Sequence, residues 1–386
     1  MKGIFQSNNI LTSRTGYSTQ GWSIFQRLWQ HGHPMAHMPN YGHQTGTYDH
    51  FVQQPNGEFF PVRVYSYYHH SDGRKVIKGC LNDWKAHFLM TLYDIWVAAP
   101  NFHDYFPEHL WIALFPVDEA PLVSPIKDRL AQVDFPVVYS KFACEQLEGA
   151  RCRKYDYIPH GCETRFWKPI NKAKARKRNG IPKDAFVISM VGANQGNPSR
   201  KAFPENLMAY KMFLDTHDDA FFILHTSIAP QNDDPGMGLH MHELIDQIGI
   251  PQNRISIVNQ EKYVAGLPME YLRELYSISD VVTHASRGEG FGLICTEAQA
   301  CGTPVITTNA SAMPEVTGNG IVTEPLHPWW TGFGGWQVMP DPEAICDAMC
   351  QIYDWDAETR KKIEDIAEKI EGEDETDSES VQPSES

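Results

Sequence analysis

The 386-residue chain contains no stretch of the roughly 18 uninterrupted apolar residues that a membrane-spanning helix needs. Its start, Met1-Lys2-Gly3-Ile4-Phe5-Gln6-Ser7-Asn8-Asn9, lacks the apolar core of a secretory signal, so the cytoplasm is the expected location. The eight cysteines (80, 144, 152, 162, 295, 301, 346, 350) include no C-x-x-C pair and no zinc-type spacing, which favours reduced packing thiols. Cys346 and Cys350 lie one helical turn apart and could form half a metal site, but no second pair matches them, and packing is the simpler reading. Among the 17 histidines, His69-His70 and His240-x-His242 are each too isolated to indicate a metal; solvated or core histidine is favoured. No repeat of 20–50 residues is present.

Basic residues are missing from Glu371 onward, where seven acids occur, and this end reads as a solvated, disordered acidic tail (371–386). Without those seven acids the net charge falls from −15 to −8, a balance with no overall attraction for polyanions. One basic cluster stands out within 168–183. Exposed linker charge accounts for it, and peripheral contact with a membrane surface or nucleic acid is the alternative.

What is present is ordinary globular composition, 42 % apolar and 21 % charged, in a chain long enough for two domains. Short apolar runs at 3–7, 95–98, 111–115, 137–139, 186–191, 221–225, 255–258, 281–284 and 305–307 alternate with amphipathic stretches. That alternation predicts α/β architecture, parallel sheets flanked by helices. The segment Ile158-Pro159-His160-Gly161 through Phe166-Trp167-Lys168-Pro169 interrupts the series, and a second βαβ run begins at Phe186. The expected division is 1–165, 166–355, a terminal helix over 356–370 and the tail. Asp341-Pro342 has the form of a helix start, an N-cap followed by proline in the first turn.

The most informative segment is Ser286-Arg287-Gly288-Glu289-Gly290-Phe291-Gly292-Leu293-Ile294-Cys295-Thr296-Glu297, continuing through Cys301-Gly302-Thr303-Pro304-Val305-Ile306. Glycines 288, 290 and 292 remove bulk, so backbone amides can approach a ligand closely. A helix starting near Leu293 would aim its free N–H groups and positive dipole end at the same place, which suits a diphosphate. Glu289 in the loop and Glu297 one turn into the helix are acceptors suited to sugar hydroxyls. Either feature alone is commonplace. Together, the E-x7-E pair, the Gly-Phe-Gly between its members and the Glu-Ala-x-Ala-Cys-Gly-Thr-Pro-Val-Ile that follows resemble the signature of the retaining glycosyltransferases of family four, which have the two-domain glycosyltransferase-B fold.

That resemblance implies two Rossmann-like domains facing a central cleft, with the nucleotide sugar against the second. It implies that Arg200 and Lys201 hold the donor diphosphate, although Ala193 stands where the family often has a further arginine. It puts Gly16, within Thr12-Ser13-Arg14-Thr15-Gly16-Tyr17-Ser18, against the donor phosphate; a plain βα turn is the alternative. Asn194, Asn259, Gly290, Phe291, Gly292 and Leu293 fall at donor-binding positions, Glu289 at the transferred sugar and Glu297 at the ribose. Asp118 is the nearest polar residue to the position of the family's sugar-contacting histidine, and a helix cap or hinge contact explains it equally well. His160 reads as part of a structural hinge.

The implied reaction moves a hexose-type sugar from a UDP- or GDP-linked donor to an acceptor hydroxyl, with retention of configuration. No D-x-D motif lies within these site segments, and neither a metal nor a further cofactor is expected. The acceptor stays open: glycan, lipid, protein, small molecule or a hydroxylated nucleic-acid base. A nucleotide-sugar epimerase on the same fold and a non-catalytic sugar-nucleotide-binding protein are the competing readings. A phosphorylase would need a pyridoxal lysine and a longer chain.

Overall fold

The structure, a computed structural model, describes residues 1–355 apart from 12, 14, 42–45, 54–58, 67–72, 99 and 153. Thr12, Arg14, His69, His70, the expected helix over 356–370 and the acidic tail lie outside the described residues. The chain divides into two compact units. The first comprises Met1–His160 with Trp330–Trp336, and the second Gly161–Trp329 with Gln337–Ser386.

The first unit is built on eight strands: β1 (Gly3–Asn9), β2 (Met35–Tyr41), β3 (Tyr48–Gln53), β4 (Phe59–Val64), β5 (Phe88–Leu92), β6 (Leu110–Leu114), β7 (Phe135–Val138) and β8 (Asp156–Tyr157). Their order is β3-β4-β2-β1-β5-β6-β7-β8, parallel except for the antiparallel β3–β4 pair. Every residue of β5 is buried, as expected for a parallel strand covered on both faces. Trp111 of β6 fits the interior because its indole N–H donates to Thr91 Oγ1 at 3.0 Å. The apolar run at 95–98, expected to be a strand, is a 3-10 turn over Ile95–Val97 that follows β5. The strand itself uses the preceding Phe-Leu-Met-Thr-Leu; apolar character alone did not separate the two runs.

The second unit contains β9 (Phe186–Val191), β10 (Ala220–His225), β11 (Ile255–Ile257), β12 (Val281–His284), β13 (Val305–Thr308) and β14 (Gly320–Thr323), ordered β11-β10-β9-β12-β13-β14 and all parallel. This is a doubly wound sheet, and its strand order reverses between β9 and β12. Ligands of such sheets bind outside the carboxyl ends of the two strands at that switch point. The Phe203–Leu214 helix buries Phe203, Leu207, Tyr210, Phe213 and Leu214 against the sheet, at the spacing of one helical face. The Pro342–Tyr353 helix packs on the same core, and Asp341 caps it by accepting from the Glu343 amide at 2.9 Å. Cys346 and Cys350 pack against this core too.

Part of the basic cluster is internal wiring, while Lys174, Lys177 and Lys183 are exposed. Asn171 caps the Lys172–Arg178 helix by accepting from the Lys174 amide, while Lys172 and the buried Arg176 pair with Asp280 at 2.8 and 2.6 Å. Arg178 reaches Glu274 at 2.7 Å.

One short piece of the expected second domain belongs elsewhere. Strands β15 (His327–Trp330) and β16 (Trp336–Met339) form a hairpin whose tip, Trp330–Trp336, groups with the first unit. There Ala120 and Trp336 exchange backbone hydrogen bonds, and Thr331 Oγ1 donates to Glu119 at 2.6 Å. The reading of 166–355 as a single domain is corrected at these residues. No described helix is long and apolar enough to cross a membrane.

Candidate functional site

The loops after β9 and β12 bring three of the expected residues into direct contact. Glu289 is buried; its Oε1 accepts from Lys201 Nζ at 2.6 Å, and its Oε2 lies 2.8 Å from Arg200 Nη1. Arg200 also donates to the Gly288 carbonyl at 2.6 Å, and its own carbonyl accepts from the Arg287 amide at 2.9 Å. The two switch-point loops are thus tied by both backbone and side chains.

Burial opposes ionisation of Glu289, but Arg200 and Lys201 override it and hold the carboxyl well below the ordinary range. Burial lowers the Lys201 pKa, with Glu289 offsetting part of the effect and Arg200 adding to it. His284, fully buried at the end of β12, places Nε2 3.3 Å from Glu289 Oε1 without forming an aligned hydrogen bond. Its pKa is lowered by burial and then by Lys201, so the imidazole is neutral at pH 7.

The loop leaves this cluster through Gly292, whose φ of +100° is readily adopted only by glycine. Gly292 is the N-cap of the Leu293–Ala300 helix, and it offers no side chain to occupy the first-turn N–H groups. A helix N-terminus of this kind favours an anion. Behind the loop, Ser311 Oγ accepts from the Glu289 amide at 2.7 Å and fixes its backbone. Glu297, on the buried side of the helix, accepts from Tyr276 OH at 3.1 Å. Burial raises its pKa to about 7, the tyrosine hydrogen bond opposing the rise.

Other expected site residues have structural partners. Asn194 Nδ2 donates to the Ser227 and Leu239 carbonyls at 3.1 and 2.6 Å, while its Oδ1 accepts from the Leu239 amide at 2.8 Å. Its side chain therefore pins the loop after β10. Asn259 caps the Gln260–Ala265 helix through the Lys262 amide. Gly290, Phe291 and Leu293 flank Gly292, the first two buried and Leu293 half-buried.

In the first unit, Gly16 begins the Gly16–Gln30 helix, which Thr15 caps by accepting from the Ser18 amide at 3.2 Å. Asp118 follows β6, is half-buried and, with Asp94, acts electrostatically on the buried Tyr139. His160 stacks on Tyr139 with ring centroids 3.9 Å apart, and burial pushes its pKa down to about 4.

Sequence reading missed the pair that supports the site from beneath. Arg287, buried two residues before Glu289, pairs with the equally buried Glu205 at 2.6 Å, and the Trp329 ring lies 5.1 Å from its guanidinium. The signal was present in Ser286-Arg287-Gly288-Glu289, but nothing in the sequence connects Arg287 to a glutamate 82 positions earlier.

Residues 256–370 match the family model described as "Glycosyl transferases group 1". The chain is 28 % identical over 176 residues to the D-inositol 3-phosphate glycosyltransferase of Acidothermus cellulolyticus; the match takes in 45 % of this chain and only 37 % of that relative. Among solved structures, the sucrose-phosphate synthase of Thermosynechococcus elongatus superimposes with a TM-score of 0.67 at 16 % identity, covering 92 % of this chain and 90 % of that one. Anabaena Alr3699/HepE, in complex with UDP and glucose, gives 0.61 at 14 % identity, with 95 % and 94 % covered. The fold is of the glycosyltransferase-B class. Its doubly wound second unit contains most of the matched segment, including Glu289, Gly292 and Glu297.

Proposed function

We propose that the protein is a retaining glycosyltransferase that moves a hexose-type sugar from a nucleoside-diphosphate sugar to an acceptor hydroxyl without a metal ion. The cluster at the switch point, in which Lys201 and the partly exposed Arg200 pair with the buried Glu289 beside an uncapped helix N-terminus, carries this reading. The family match over 256–370 supports transfer chemistry, and the complexes of Alr3699/HepE with UDP favour UDP as the first nucleotide to test.

In this mechanism the diphosphate lies against the first turn of the Leu293–Ala300 helix and the cations of Arg200 and Lys201. As the glycosidic bond to phosphate breaks, negative charge grows on the leaving diphosphate, and these groups are already oriented to stabilise it. Glu289 has two cations as partners, yet a carboxylate offers about four acceptor sites, leaving capacity for sugar hydroxyls. Its ionisation at pH 7 makes those hydrogen bonds charge-assisted. Glu297 faces the ribose. The acceptor hydroxyl attacks on the face the diphosphate leaves, and the departing phosphate takes its proton, so configuration is retained.

The test is proton NMR of the first product formed from UDP-glucose and other nucleoside-diphosphate hexoses with pooled acceptors, in the presence of chelator. The expected product keeps the donor's anomeric coupling. An inverted coupling, or activity restored only by magnesium or manganese, would overturn the mechanism. Sugar interconversion with donor alone would indicate an epimerase.

A further inference from the structure

One group in the switch-point cluster has no part in the mechanism above. His284 ends β12, one of the two strands between which the sheet order reverses, and it is fully buried. Neither ring nitrogen has an aligned hydrogen-bond partner among the described residues. Buried polar groups are nearly always paired, and an unpaired one bears the cost of lost hydration without compensation. A leucine would fill similar space without that cost, so packing alone does not account for a histidine here.

Its position indicates what the imidazole is for. Nε2 lies 3.3 Å from Glu289 Oε1, the same oxygen that accepts from Lys201 Nζ at 2.6 Å. Arg200 holds the other oxygen at 2.8 Å, so two cations occupy the carboxylate. The backbone of Glu289 is fixed on both sides, its amide donating to Ser311 Oγ at 2.7 Å and its carbonyl accepting from the Ala312 amide at 3.3 Å. The separation from Nε2 is already close to hydrogen-bonding range; alignment is what is missing, and a rotation of the glutamate side chain supplies it. A neutral imidazole has one N–H, and a bond from it to an ionised carboxylate is charge-assisted.

The donor diphosphate, drawn to Arg200 and Lys201, competes with Glu289 for both cations. A buried carboxylate stripped of them would be an uncompensated charge. We propose that His284 is a positioning residue: as Lys201 turns to the diphosphate, the imidazole Nε2–H donates to Glu289 Oε1 and keeps the carboxylate ionised and aimed at the sugar hydroxyls. A neutral donor suits this handover. The charged groups facing the ring are Lys201, Arg200 and Glu289, and the two cations oppose a third. A cation in place of the imidazole would neutralise Glu289 and weaken its hydrogen bonds to the sugar, whereas a neutral N–H leaves the carboxylate charge intact. The inference rests on the glycosyltransferase reading and deepens it, adding a residue that acts through Glu289.

The experiment compares the full chain with H284L and H284Q. Leucine has similar bulk and no donor, while glutamine keeps an N–H near the place of Nε2. UDP binding is measured by calorimetry, and binding of uridine, which has no diphosphate to draw the cations away, by saturation-transfer NMR. H284L is expected to bind UDP about tenfold more weakly than wild type, the scale of one lost hydrogen bond to a charged group, and uridine within about twofold. H284Q is expected to stay within about threefold of wild type for UDP, since its amide supplies the same bond. A damaged fold would weaken both ligands, so the contrast between them separates positioning from packing. Long-range proton–nitrogen spectra of the imidazoles, with the His284 signal identified by its absence in H284L, should show the Nε2–H tautomer in the UDP complex. Wild-type UDP affinity in H284L, an equal loss of uridine, an H284Q no better than H284L, or an Nδ1–H tautomer would each overturn the proposal. A wild type that binds neither UDP, GDP nor ADP would instead overturn the donor-site reading itself, and the handover with it.

Discussion

Glu297 shows how burial sets chemistry at a single residue. Its carboxyl is raised to about 7 by desolvation, while in the unfolded chain it would titrate near 4.3. Between those values the folded state holds a proton that the unfolded state has released. This group's contribution to stability is therefore fully present below about pH 4 and is lost as pH rises through about 7. Denaturant titrations at pH 5 and pH 8 should show wild type losing stability relative to E297Q, by on the order of 3 kcal/mol at most. A difference that does not change with pH would place the ordinary carboxyl pKa in the folded protein. Glu289 is as deeply buried but shifts the other way, because Arg200 and Lys201 touch it and only a tyrosine hydroxyl is bonded to Glu297.

At the scale of the element, the Leu293–Ala300 helix is aimed by the residue before it. Gly292 turns the chain through φ +100°, and a Cβ added there would lie 3.3 Å from Val316 Cγ2. Gly292→Ala should lower unfolding stability by roughly 1–3 kcal/mol, through an unfavourable backbone region and a tight contact. It should also weaken UDP binding, because the helix amides are displaced from their present direction. Thermal melts and calorimetry check both effects; an alanine that costs neither would show that the loop relaxes freely. Within the first unit, the Trp330–Trp336 turn is likewise fixed by local bonds, among them the Ala120–Trp336 backbone bridge and the Thr331 hydroxyl on Glu119.

For the whole molecule, charge is the property the tail controls. Residues 371–386 contain seven acids, lie beyond the family match that ends at 370, and account for the difference between a net charge of −15 and −8. Deleting them should leave the melting temperature unchanged and strengthen binding of anionic UDP modestly at low salt, with the gain disappearing at high salt. A lower melting temperature would mean that the tail contributes to the fold.

The α/β class, the helix start at Asp341 and the grouping of Gly292, Glu289 and Glu297 in one strand–loop–helix segment were all legible in the sequence, because each depends on neighbours within a few residues. Apolar runs such as Phe186–Val191 identify buried parallel strands for the same local reason. The tertiary structure alone decided which distant residues meet. It placed Lys201, 88 positions away, and its neighbour Arg200 on Glu289, set Arg287 on Glu205, turned Asn194 into a loop pin and moved Trp330–Trp336 to the first unit. Local pattern determines what a segment can become; long-range pairing depends on strand order and on the cost of burying a charge without a partner, which no short window of sequence contains.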